Sequence, residues 1–166
     1  MTEKTKIQTT KNINNKIMKN KIILFSKKNS ETFGSELISN GTFDSNILGW
    51  SDPSGSWVWD ATNQDAKFTF NGVNNRNFSY AISGLTIGAT YQISFEFKNT
   101  NGGTCQYSDQ YTTVFNGGDT TYHATNGVHT FNVTCDAESG NLTFRSSGGV
   151  GGDTIELDNV SVKELL

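Results

Sequence analysis

The stretch that decides the fold is Thr90-Tyr91-Gln92-Ile93-Ser94-Phe95-Glu96-Phe97-Lys98. Apolar Tyr91, Ile93, Phe95 and Phe97 alternate with polar Gln92, Ser94 and Glu96, and a period of two puts the two sets on opposite faces of an extended strand. A strand with one greasy and one wet face belongs to an antiparallel sheet packed on one side only. Working outward, the alternation recurs at 67–70, 78–82, 128–135, at Leu142 with Phe144, and at 154–162. Asn71-Gly72, Asn101-Gly102-Gly103, Asn116-Gly117-Gly118, Asn126-Gly127 and Ser139-Gly140-Asn141 separate these runs; such residues tolerate the positive φ of tight hairpin turns. From residue 36 onward no helical period competes. Roughly seven to ten short strands at this spacing predict an all-β chain, a β-sandwich of two antiparallel sheets in the jelly-roll class.

The last run breaks its own rhythm. Ile155 and Leu157 share one phase and Val160 and Val162 the other, so a bulge at Asp158-Asn159 must reset the register if both pairs face the core.

Charge divides the chain more sharply than length does. Residues 1–30 hold Lys4, Lys6, Lys11, Lys16, Lys19, Lys21, Lys27 and Lys28 against Glu3 alone, near +7. The remaining 136 residues hold five Lys or Arg against fifteen acids, near −10. The expected organisation is therefore an extended basic N-terminal arm over residues 1–34 and a β-sandwich over 35–166. So little apolar surface cannot offset the ordering entropy of the arm; it reads either as a solvated tail or as a segment that docks on an acidic protein surface or a polyanion. Residues 1–30 carry no arginine and only Phe25 there could stack on a base, which disfavours nucleic acid as the partner of the arm. Its longest apolar run, Ile22 to Phe25, is four residues, too short for a membrane span or for the core of an export signal. The sequence thus predicts neither a membrane span nor classical secretion.

The segments that flank the sandwich have a recognisable look. Glu36-Leu37-Ile38-Ser39-Asn40-Gly41-Thr42-Phe43-Asp44, then Gly49-Trp50, and the terminal Ile155-Glu156-Leu157-Asp158-Asn159-Val160-Ser161-Val162 resemble the opening and closing strands of the jelly-roll carbohydrate-binding modules attached to xylanases and cellulases. Gly84 to Phe95 resembles their central segment, and the likeness spans residues 36–163. The resemblance implies a structural calcium where the first and last strands meet, with Asp44 and Asp158 as carboxylate ligands and a backbone carbonyl near Asn40 joining them. Modules with this opening and closing also recur in bacteriophage virion proteins such as tail fibres, head fibres and capsid decorations. That implies a non-enzymatic virion surface protein whose lysine arm holds a capsid or tail protein and whose module faces host glycans, with a homo-oligomer allowed. The alternative is a stand-alone module of an extracellular or cell-surface protein.

Catalysis finds no support in the residues. His123 and His129 are the only histidines; no metal-binding His-Glu-x-x-His or nucleophile Gly-x-Ser-x-Gly pattern occurs, and the run Gly148 to Gly152 lacks the Lys-Ser/Thr of a phosphate loop. Cys105 and Cys135 are too few for a disulfide framework: they either form one bridge or pack as small apolar residues, Cys135 being in phase with Phe131 and Val133. Binding has better material. Trp57, Trp59, Tyr107, Tyr111 and Tyr122 fall outside the firmest core pattern, and sugar rings stack their C–H faces on aromatic planes. Trp57 and Trp59 share one strand face, which either lines a cleft or belongs to the core.

Overall fold

Each alternating run forms a strand, and the strands assemble into two layers. The computed structural model describes residues 31–72, 75–107, 114–116 and 122–166, with the backbone only for Tyr107, Asn116 and Tyr122. The lysine arm of residues 1–30 therefore lies outside the described residues. Among the described residues there is no helix, and the strands are β1 (Trp50–Ser51), β2 (Trp57–Asp60), β3 (Asp65–Thr69), β4 (Asn77–Ser83), β5 (Thr90–Asn99), β6 (Thr104–Tyr107), β7 (Phe115–Asn116), β8 (Tyr122–His123), β9 (Gly127–Cys135), β10 (Ser139–Ser147) and β11 (Thr154–Glu164). One sheet runs β1-β4-β10-β6-β8 and the other β2-β3-β11-β5-β9-β7. Neighbours in both are antiparallel.

The decisive strand behaves as its pattern requires. Tyr91, Ile93, Phe95 and Phe97 are all buried on the inner face of β5, and the interleaved residues are half-exposed. The expected bulge is present: the pairing of β11 with β5 shifts between Asp158 and Ser161, Asn159 takes the left-handed φ of 51°, and Leu157 and Val160 both end up inside. Asn tolerates that conformation better than other side chains, because its short amide bonds locally.

Aromatic rings fill the space between the sheets at one end. Phe78 lies between two indoles, 4.8 Å and 13° from Trp50 and 4.8 Å and 14° from Trp57, with Phe43 at 6.0 Å. Farther along, Phe95 meets Phe144 edge to face at 5.0 Å. Burying each such ring contributes about 2–3 kcal/mol by transfer alone, so this cluster is a main source of stability. Both cysteines are buried and free, Cys105 on β6 and Cys135 on β9, in different sheets. Burial raises both thiols above their ordinary range, and the Cys135 thiol donates to the Ala137 carbonyl at 3.1 Å. Of the two readings, the packed thiol is the one observed.

The chain divides between Thr32 and Phe33. Phe33 bridges to Leu165, Gly34 N–H donates to Glu164 O at 2.9 Å, Leu37 N–H to Val162 O at 3.0 Å, and Val160 N–H to Gly41 O at 2.8 Å. Residues 33–41 thus cover the edge of β11 that β3 leaves open. The Glu36 carboxylate fastens this seam: it accepts from the amides of Leu37 and Ile38 at 3.0 Å and of Val162 at 2.8 Å, and from the Ser161 hydroxyl. Gly41 is required by close approach, since a Cβ there would stand 1.9 Å from the Val160 carbonyl oxygen.

Candidate functional site

Inward residues make the core, so the outward set of each strand is what a ligand can meet, and the two sheets present different outward sets. On the five-stranded sheet, register places Asn77 of β4 beside Arg145 of β10, Arg145 beside Gln106 of β6, and Gln106 beside Tyr122 of β8. One row along, Ser79 pairs with Thr143, and their hydroxyls are hydrogen-bonded at 2.9 Å. Thr143 is only 2% exposed, so this face is recessed. At its Asn77 end opens a depression of about 270 Å³ lined by Asp52, Pro53, Ser54, Asn75, Arg76 and Asn77. Its rim is rigid where Asp52 turns the chain: the carboxylate accepts from the amides of Ser54 at 2.9 Å and Trp57 at 2.6 Å, from that of Ser56, and from the Ser54 hydroxyl. Burial pushes the Asp52 carboxyl up, but these hydrogen bonds outweigh it and hold the group below its usual range. Asn77 Oδ1 is buried and accepts no hydrogen bond. Protein interiors pair nearly all such acceptors, so an orphan acceptor at the lip of a depression is a place where a donor from outside fits.

The outer face of the six-stranded sheet is ionic. Lys67 of β3 lies 2.9 Å from the Asp60 carboxylate and 3.4 Å from that of Glu156, and Lys98 lies 3.7 Å from Glu96. The hydrogen bond from Lys67, then the Thr62 amide, lowers the Asp60 carboxyl, and the same bond raises the Lys67 ammonium. Asp65, the register partner of Asp60, is 0% exposed, and neither of its oxygens accepts a hydrogen bond. Desolvation, then the charge of Glu156, pushes its carboxyl up to about 7. Asp60, Asp65 and Glu156 each bring an oxygen within 4.8 Å of the others.

The residues singled out from the sequence distribute unevenly. Trp57 is 3% exposed with its ring stacked on Phe78, so it belongs to the core and offers no face to a sugar. Trp59 is half-buried against the core and donates its indole N–H to the Phe43 carbonyl at 2.8 Å. The backbones of Tyr107 and Tyr122 lie on β6 and β8 of the five-stranded sheet, while their side chains and the whole of Tyr111 lie outside the described residues, as do Lys4, Lys6, Lys11, Lys16, Lys19, Lys21, Lys27 and Lys28. Asp44 and Asp158 come close enough for the charge of Asp44 to raise the Asp158 carboxyl, after desolvation and the charge of Glu96. Asp158 accepts from its neighbour Asn159 at 2.7 and 3.1 Å, Asp44 accepts from Thr42 at 3.0 Å, and the Asn40 carbonyl accepts the Trp50 indole N–H at 2.9 Å. Glu96 stands beside Asp158, both accepting from the Asn159 side-chain amide at 3.1 Å; a tighter acidic group is Asp60, Asp65 and Glu156.

Nothing in the sequence analysis singles out Asn77, Arg145, Gln106 and Thr143, or the triad of Asp60, Asp65 and Glu156. A signal for the first set was present in the phase opposite to the core on the same strands. The triad is joined only by strand pairing, and no spacing along the chain announces it.

No family model and no curated protein matches the chain. Solved structures do. The N-terminal cellulose-binding domain of Cellulomonas fimi β-1,4-glucanase C superposes with a TM-score of 0.57 at 15% identity, over 80% of this chain and 99% of that one. A CBM4 carbohydrate-binding module gives 0.55 at 22% identity, over 76% and 99%. The enzymatically active domain of tailspike protein 4 of bacteriophage CBA120 gives 0.51 at 21% identity, over 78% of this chain and 21% of that one. At such identities the likeness concerns the fold, and it agrees with what the opening and closing segments implied: the body of this chain is an all-β jelly roll of the kind found in carbohydrate-binding modules.

Proposed function

We propose that the sandwich is a non-catalytic glycan-binding module whose ligand lies along the outer face of the five-stranded sheet. The observation that carries this reading is Asn77 Oδ1, a buried acceptor without a donor, at the meeting point of the polar row and the depression. A sugar hydroxyl supplies the missing donor while accepting from Gln, Arg or Thr groups in the same row, since each hydroxyl both gives and receives. Tyr122 opens β8 in the same outward row, opposite Gln106, and is the aromatic position that remains as a stacking candidate, whereas Tyr107 is opposite the buried Phe144 and so in the inward phase. Polysaccharide affinity electrophoresis and glycan-array binding of the full chain test the reading. Retardation by at least one polysaccharide is expected, with affinity falling roughly tenfold in Asn77→Ala, about the worth of one buried hydrogen bond. A chain that ignores every glycan, or binds equally well as Asn77→Ala, rules the site out.

A second reading concerns the setting. The likeness to a bacteriophage tailspike domain, together with an N-terminal segment near +7 joined to a body near −10, supports a virion surface protein that docks on a capsid or tail partner through its arm and displays the module outward. If particles retain the protein after deletion of residues 1–30, this anchoring is wrong.

A further inference from the structure

We propose that Asp60, Asp65 and Glu156 hold one divalent cation of calcium type on the outer face of the six-stranded sheet, with ligands other than the Asp44 and Asp158 pair. The inference stands independently of the glycan reading, because it concerns the opposite layer.

Three observations carry it. First, strand pairing builds the cluster on rigid elements: Asp60 is opposite Asp65 across β2 and β3, and Glu156 is opposite Lys67 across β3 and β11. The hairpin tip between β2 and β3 is fixed by Gln64 N–H donating to Asp60 O at 2.8 Å and by Thr62 N–H donating to Asp60 Oδ1 at 2.8 Å. Second, Asp65 is wholly buried with two oxygens that accept nothing. Desolvating a carboxylate without a donor is among the more expensive events in folding, and the neighbour Glu156 is itself a carboxylate, which can hold Asp65 only by sharing a proton with it. A cation between them removes the conflict. Third, the spacing fits. Oxygens bound about 2.3–2.6 Å from one calcium ion stand at most about 5 Å apart, and the three here lie within 4.8 Å of one another.

The donor set identifies the cation class. All three ligands are carboxylate oxygens, which select hard divalent ions over zinc or copper. Lys67 is the one cation beside three carboxyl groups, so the cluster is left with excess negative charge once Asp65 gives up its proton. Calcium accepts irregular shells completed by water and amide oxygens; the Asn63 amide, whose nitrogen donates to Glu156 Oε1 at 3.4 Å, would present its oxygen after a half-turn about its last bond. Lys67 is the displaceable occupant. Its ammonium bridges Asp60 and Glu156 but makes no contact that satisfies Asp65, and a partly exposed lysine can swing into solvent on its flexible stem.

The test uses the full chain stripped with a chelator, then titrated with CaCl2 while thermal melting is followed. Terbium luminescence sensitised by the nearby Trp59 reads binding directly. At a hundredfold excess over Kd the melting temperature should rise by about 8 °C. Asp65→Asn and Glu156→Gln should each abolish that rise, whereas Asp44→Asn and Asp158→Asn should keep it. Lys67→Met should tighten binding roughly threefold by removing the competitor. Glu156→Gln, on the sheet surface, keeps the test valid if Asp65→Asn fails to fold. No shift with calcium, manganese or magnesium in the unaltered protein overturns the proposal; so does a shift that survives in Glu156→Gln, or one that disappears in Asp44→Asn or Asp158→Asn instead.

Discussion

The two outer faces of this sandwich are built by the same alternation and yet carry opposite chemistry. The five-stranded sheet shows Asn77, Ser79, Thr143 and Gln106 around the guanidinium of Arg145. The six-stranded sheet shows Asp60, Lys67, Glu156, Glu96 and Lys98 in ion-paired contact. Neutral donors and acceptors in a recess suit a ligand rich in hydroxyls, whose groups are as weakly charged as the site. A field of carboxylates suits ions and repels acidic partners. A period of two therefore determines which residues face outward and says nothing about what the outward face is for.

This contrast can be broken at its shared floor. Phe78, stacked between Trp50 and Trp57, supports both layers, so Phe78→Ala should lose about 3–5 kcal/mol in denaturant unfolding and abolish ligand binding on both faces together. Gly41→Ala tests the seam instead. Its Cβ would collide with the Val160 carbonyl, and a loss of about 1–3 kcal/mol is expected, read in the same unfolding assay; a neutral result would mean that residues 33–41 do not hold β11.

Smaller effects sharpen the division. Asp52→Asn should cost about 1 kcal/mol at neutral pH, the worth of a cap that satisfies several amides. The Asp52 carboxyl is held below the unfolded value of 3.8, so its contribution is present above that pH and fades as pH falls through the lower folded value. Variant and parent should therefore converge in acid unfolding curves. The smallest change is expected from Glu96→Gln combined with Lys98→Met. Side chains 30% and 44% exposed at 3.7 Å contribute roughly 0.5 kcal/mol or less, and glycan retardation should stay unaltered. A large loss of glycan affinity there would place the ligand on the other sheet.

Much of the architecture was legible in the chain. Tyr91, Ile93, Phe95 and Phe97 are inside because burial of apolar area dominates and a strand offers only two faces. The parity flip after Leu157 required a bulge, and one is there at Asn159. The site was less legible. Trp57 and Trp59 share a phase that fits a core or a cleft equally well, and only the presence of Phe78 on the facing sheet makes it core. Phe43 adopts φ 47° although bulky, a conformation that local preference opposes and that packing against Trp50 at 5.4 Å enforces.

The sequence by itself determined the strand faces, most of the turn positions, the register reset in the last strand and the charge division between arm and body, because each follows from local periodicity, backbone preference or composition; Ser139-Gly140-Asn141, expected as a turn, instead opens β10 paired with Ala81 to Ser83, and the break falls at residues 136–138. Only the tertiary structure decided that Asn77, Arg145 and Gln106 form a row, and that Asp60, Asp65 and Glu156 meet around a buried carboxylate. Those neighbours come from separate strands, and pairing between strands distant along the chain is set by the closure of the whole sandwich, which no local pattern encodes.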